Sequence, residues 1–344
     1  MNPIIIHHRS SHHAKNSGYA RLLDFIDATQ IPSGKKVLPY RVAKLIGGIV
    51  KQNAGLYDTT SVLKDVELYK TFKKSKKKHT VVHYLNAERD VRYTISKSKN
   101  YKDTSFCATF HKPQEILTAT ITDNRYLRKL NGAIAVGANQ VDFLKNWLDI
   151  DNVQYIPHGV DSTFFKEDYT KRKENNLLFV GQHLRDFDAL NYCIPKIAER
   201  VENFTIHIVL RKDFSKYIIP HPSISIHSGI NDVQLKAFYQ EATALFLPLK
   251  NVTACNSILE AMACGVPIIT TAVGGNLEYL KNTRSILAPI NAYDSLIEKT
   301  IDLLKDESKI ERMSKASLMR SADYDWSVIS KKVLSFYETL NNNY

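Results

Sequence analysis

The chain has 344 residues, 44% of them apolar, and a net charge of +12; that length and apolar content suffice for two ordinary domains and argue against disorder. No run approaches the roughly eighteen apolar residues of a membrane-spanning helix, and polar His7-His8-Arg9 directly after Ile4-Ile5-Ile6 argues against a signal peptide. A cytosolic protein, at most peripheral on the inner face of a membrane, is therefore expected.

The charge is uneven. Residues 1–165 hold 25 Lys and Arg against 14 Asp and Glu, whereas residues 166–344 hold 22 against 21, so an anionic partner would meet the first half. The four cysteines, Cys107, Cys193, Cys255 and Cys264, are dispersed without C-x-x-C spacing. They read as buried thiols of a reducing compartment, with no disulfide and no zinc expected.

Pro3 to His8 is consistent with a first strand, and Tyr19 to Ala28 has helical spacing with Leu22, Leu23 and Ile26 on one face. The polar loop between them contains His7, His8, His12 and His13 without a partner at ligand spacing, so a metal site is not expected, and His12 is kept as an acceptor-side candidate. The end of that loop, Asn16-Ser17-Gly18, supplies a flexible turn before a helix start. Tyr40 to Gln52 alternates Val42, Leu45, Ile46 and Ile49 with basic residues in a helical period. In Lys64–Lys78, Val66, Tyr69 and Phe72 recur every three residues among lysines, a pattern that suits either a surface helix packed on the sheet or docking on an anionic membrane.

His79 to Leu85 reads as a buried strand followed by a polar loop, Asn86-Ala-Glu-Arg-Asp90, and Phe106 to Pro113 as a second such strand that ends in His111. Ligands sit at the carboxyl ends of parallel strands, which makes His111 a functional candidate, with His83 and Glu88 as weaker acceptor-side ones. Gly132 to Val136, Val141 to Leu148 and Val153 to Pro157 continue the alternation, and the aperiodic, charged segment 166–176 reads as a linker. Leu177 to Gly181 opens a second β/α series, with Arg185 in the following loop and the basic pair Arg211-Lys212 at the end of the next strand. Ser228-Gly-Ile230-Asn-Asp precedes a helix from Val233, and Ala244 to Leu249 is a strand.

Asn256-Ser257-Ile258-Leu-Glu260-Ala-Met-Ala-Cys264 has a polar start and an apolar helical pattern, then Gly265 at the C-terminal cap position, Pro267 as a stop and a β-branched run to Thr271. A helix beginning at Asn256 presents unpaired backbone N–H groups and the positive end of its dipole, a natural site for phosphate. Glu260 lies one turn in. Taken alone, Ser257-x-x-Glu260 also fits a capping box.

Leu259 to Pro267 followed by Gly274-Gly-x-x-Glu278 resembles the donor-site signature of the retaining GT-B glycosyltransferases that carry an E-x7-E motif, the glycosyl transferases group 1. The resemblance implies two doubly wound Rossmann-like α/β domains facing each other across a cleft: residues 1–165 on the acceptor side, 177–322 for the nucleotide sugar, and a last helix in 323–344 returning to the first domain. It implies Glu260 on the donor ribose and the helix start at Asn256, Ser257 and Ile258, with the Ser17-Gly18 loop, on the diphosphate. Arg185 would add charge there, in a loop where Gln182 replaces the family's arginine, and Arg211 and Lys212 would border the same mouth. The backbone at Ile230 would read the base, and His111, matching a Thr-Phe-His strand end, would contact the transferred sugar. The first Glu of the motif falls at Val252 and is missing.

The function so implied is transfer of a sugar, hexosyl or N-acetylhexosaminyl, from a UDP- or GDP-linked donor to a glycan or lipid-linked acceptor. Retention of configuration is expected, without metal or other cofactor. A sugar-nucleotide epimerase or hydrolase of the same fold is the alternative that the missing Glu leaves open. Nucleic acid is not expected as a partner, because the lysines cluster in one helix and no recurrent aromatic-basic platform appears.

Overall fold

In this computed structural model the described residues are 3–8, 16–32, 37–51, 56–74, 80–101 and 103–341. Short runs of β-branched and aromatic residues become twelve strands: β1 Ile4–Ile6, β2 Thr29–Ile31, β3 Thr80–Tyr84, β4 Thr104–Phe110, β5 Gly132–Ala135, β6 Val153–Tyr155, β7 Asn176–Val180, β8 Thr205–Val209, β9 Ile224–His227, β10 Ala244–Leu247, β11 Ile268–Thr271 and β12 Ile286–Ala288. They form two six-stranded sheets, ordered β2-β1-β3-β4-β5-β6 and β12-β11-β10-β7-β8-β9, and the pairings are parallel. Parallel strands need crossover helices, which cover both faces and bury the central strands. β4 and β7 are buried at every position. The fold is therefore α/β with two doubly wound Rossmann-like sheets, as the alternation of patterns implies.

Packing separates two compact units, one of Met1–His13, Tyr19–Pro157 and Ser327–Tyr344, the other of Ala14–Gly18 and His158–Trp326. The boundary thus falls after Pro157 rather than after Phe165. Residues His158–Trp326 are held within the second unit, where Val160 exchanges backbone bonds with Tyr324 and Trp326 and Phe165 joins the apolar core. The segment 166–176 belongs to that unit too: Lys166 accepts from Gln240, and Asn176 bonds Thr243. In the first unit the end of the helix Trp326–Asn341 packs on the sheet, with Phe336 and Leu340 so close to Gly132 that a β-carbon there would meet them within 3 Å.

Each sheet has a switch point where the strand order reverses, and there the loops leaving the carboxyl ends diverge and leave a crevice. It lies between β1 and β3 in the first unit and between β7 and β10 in the second. All four cysteines are buried free thiols.

The helix Thr59–Lys74 differs from the surface segment expected of Lys64–Lys78. The Lys64 ammonium is buried and sits on both carboxylate oxygens of Asp90, at 2.8 and 2.9 Å. Phe72 stacks on Tyr101 with ring centres 4.4 Å apart and meets Phe106 edge-on, so the end of the Val66, Tyr69 and Phe72 stripe belongs to the core. Phe72 thus packs as in a helix whose stripe lies on the sheet, while Tyr69 stays 36% exposed. The side chains from Lys73 to Lys78 lie outside the described residues.

Candidate functional site

The β7 and β10 carboxyl ends bring two loops together in the second unit. Gly181, directly after β7, has φ +88°, a left-handed conformation that favours glycine, and a β-carbon there would lie 2.8 Å from Arg185 Nη2. The missing side chain lets the Arg185 guanidinium fold over its own loop. Its Nε donates to the Val180 carbonyl at 2.9 Å, and its Nη2 reaches Ser257 Oγ at 3.2 Å and Cys255 Sγ at 3.4 Å. The cation therefore sits at the start of the helix Asn256–Ala263, next to N–H groups that precede the first intrahelical acceptor.

The helix is capped at Cys255 without a side-chain bond, so Ser257 is an interior residue and the capping box does not form. Ser257 instead donates to the Val180 carbonyl at 3.4 Å, tying helix to strand. Glu260 is 4% exposed, and its oxygens accept from side chains distant in sequence: Oε1 from the Ser17 hydroxyl, and Oε2 from Tyr239 at 2.9 Å. Burial raises the Glu260 carboxyl above its usual range, and the bonds from Ser17 and Tyr239 pull partly the other way. Each oxygen keeps a lone-pair direction in which a further hydroxyl can donate.

Asn16, beside Ser17, donates its backbone N–H and its amide nitrogen to Asp232 Oδ2 at 2.8 and 3.1 Å, which anchors residues 16–18 within the second unit. Asn16, Ser17, Gly18, Asn256, Leu259 and Glu260 border a cavity of about 10 Å³, room for about one water. Tyr239 and Asp232 were not among the sequence candidates. Both sit on a helix whose pattern marks only its cap and its apolar face.

The structure thus gathers Ser17, Gly18, Arg185, Asn256, Ser257, Ile258 and Glu260. Arg211 and Lys212 are exposed on the loop after β8, and the Arg211 guanidinium is taken by Asp213 at 2.5 and 3.1 Å, so the pair is not part of this cluster among the described contacts. Ile230 is half-buried against the apolar core, one residue before Asn231, which caps the helix Asp232–Glu241.

In the first unit His111 follows β4. Its Nε2 donates to the Leu85 carbonyl at 2.7 Å, which makes Nδ1 the acceptor nitrogen, and the Tyr19 ring meets it edge-on at 4.8 Å. Burial lowers its pKa, so the ring is neutral at pH 7. Glu88 positions this turn: its Oε1 accepts the backbone N–H groups of His111 and Lys112 at 2.6 and 2.8 Å.

His83 has a fixed structural role in place of the acceptor-side one expected. It is fully buried in β3, with Nδ1 on Tyr337 and Nε2 on Thr109, each at 2.7 Å. Burial pushes its pKa down to about 3. Between about 6.5 and 3 the unfolded chain binds a proton that the folded one refuses, so stability is full above 6.5 and falls as pH drops through that window. Urea titrations of the wild type should show up to about 1.4 kcal/mol lost per pH unit there, and His83→Gln should flatten that slope. His12 lies outside the described residues.

No helix among the described residues is long and apolar enough to cross a membrane. Residues 213–319 match the family model described as Glycosyl transferases group 1. The chain is 25% identical over 255 residues to a phosphatidyl-myo-inositol mannosyltransferase of Mycolicibacterium smegmatis, covering 68% of this chain and 65% of that one. It is 26% identical over 217 residues to the phosphatidylinositol N-acetylglucosaminyltransferase GPI3 subunit of Saccharomyces cerevisiae, covering 57% and 47%. The chain therefore spans less than two thirds of either relative. In fold it is similar to sucrose-phosphate synthase from Thermosynechococcus elongatus, with a TM-score of 0.72 over the whole of both chains at 14% identity. Residues 213–319, with the helix that begins at Asn256, thus resemble the glycosyl transferases group 1, and the two sheets form a GT-B fold.

Proposed function

We propose that the chain transfers a hexosyl or N-acetylhexosaminyl group from a UDP- or GDP-linked donor to a glycan or lipid-linked acceptor, with retention of configuration and without a metal. The observation that carries this reading is the buried carboxylate of Glu260 one turn inside a helix whose N-terminus is met by the Arg185 guanidinium. Diphosphate charge is offset by the helix amides and by Arg185, and vicinal ribose hydroxyls donate to Glu260 beside or in place of Ser17. The similar proteins named for moving mannosyl and N-acetylglucosaminyl groups to phosphatidylinositols support the sugar class and a lipid acceptor.

Isothermal titration with UDP, GDP and their sugar conjugates tests it. Glu260→Ala should weaken binding of the preferred nucleotide by about 1.5–3 kcal/mol, the size of a hydrogen bond to a charged group. Unchanged affinity in a folded variant would remove Glu260 from the donor site. Absence of binding by the wild type to every nucleotide sugar tried would reject the transferase reading.

A further inference from the structure

The helix Tyr40–Lys51 presents an exposed apolar face. Its buried side is made of small residues: Ala43 and Gly47 face the unit, and a β-carbon at Gly47 would come within 3.0 Å of the Thr59 backbone. At about 100° per residue, Val42, Leu45 and Ile49 therefore point away from that contact, and they are 43%, 67% and 66% exposed. The three aliphatic side chains form one exposed stripe, the kind of contiguous apolar surface that suits an interaction face.

The stripe has two unlike borders. On one side Ile46 leads into a groove of about 410 Å³ whose lining includes Val62, Asp65, Val66, Tyr69 and Lys97. On the other side Arg41 and Lys44 are exposed, and the helix contains no acidic residue. An aliphatic sector between a groove and a row of cations, in a half-chain with 25 basic against 14 acidic residues, has the charge and shape of an interfacial helix.

We infer that the first unit docks on an anionic lipid bilayer through Val42, Leu45 and Ile49, with Arg41 and Lys44 at the level of the headgroups. This differs from the segment Lys64–Lys78, whose Lys64 and Phe72 are committed to the interior. It does not depend on the sugar-transfer reading, since the helix lies in the first unit and vesicle binding is measured without donor.

The test is co-sedimentation of the full chain with phosphatidylcholine vesicles with and without phosphatidylglycerol, at low and at physiological ionic strength. Binding should require the anionic lipid and weaken with salt. Leu45→Gln/Ile49→Gln should bind at least about tenfold more weakly, and Arg41→Gln/Lys44→Gln about fivefold more weakly for each cation, both at unchanged melting temperature. The proposal is overturned if the wild type does not bind anionic vesicles at low ionic strength, or if both variants bind as the wild type does. It is also overturned if the wild type is a dimer that Leu45→Gln/Ile49→Gln turns into a monomer, which would assign the stripe to a second copy.

Discussion

Asp90→Ala is expected to destabilise the first unit by about 3–5 kcal/mol, because it leaves the Lys64 ammonium buried without a counter-charge. The side chains of the pair are 1% and 0% exposed, and Ser61 adds a third bond to Asp90 at 3.1 Å. Burial lowers the Lys64 pKa even with Asp90 in contact, so the ion pair offsets its own desolvation only in part. The double variant Lys64→Met/Asp90→Leu should accordingly recover most of the loss. Denaturant titrations of the three proteins check this, and a single variant as stable as the wild type would show that the ammonium has reached water. The helix Ala87–Asp90 also carries Glu88, whose carboxylate holds the His111 turn, so Asp90→Ala should lower turnover even under conditions where the protein stays folded.

His111→Ala is expected to lower turnover by about 10²–10³, the usual loss when one aligned group is removed from the site where charge develops. The ring is fixed by the Leu85 carbonyl and the Tyr19 edge, and it is neutral, so it can meet a sugar hydroxyl at little ordering cost. Its partner would be the transferred sugar. Affinity for the bare nucleotide diphosphate, whose proposed site lies in the second unit, should therefore stay within about twofold. Titration and steady-state kinetics on the same preparation separate the two quantities. Wild-type turnover would take His111 out of the reaction, and equal losses in turnover and nucleotide affinity would point to misfolding instead.

The strands were legible because parallel strands are buried on both faces and read as mostly apolar runs, as in Leu177–Val180 of β7 and Phe106–Ala108 of β4. The helix at Asn256 was legible from its polar start and from Gly265 and Pro267 after it. Helical period located Tyr40–Lys51 but not its buried face, because burial there follows the small residues Ala43 and Gly47 rather than Leu45 and Ile49. Lysine spacing likewise marked a surface at Lys64, whose partner stands 26 residues further on. The contact of Ser17 with Glu260 joins positions 243 residues apart, and no local pattern encodes it. His83 and His111 each occupy a strand or strand end, and only the partners of their ring nitrogens separate a structural role from a proposed functional one.

The two glycines after β11 have a consequence for engineering. A β-carbon at Gly274 or Gly275 would lie 1.9 Å from the carbonyl oxygen of Val252 or Thr253, and the Gly275 N–H donates to Val252 at 2.9 Å. Val252 itself is 5% exposed and part of the apolar core. A carboxylate introduced at 252 in this arrangement would thus be desolvated at a cost of several kcal/mol. An acid engineered at 252 would therefore need the loop 250–255 to open toward solvent.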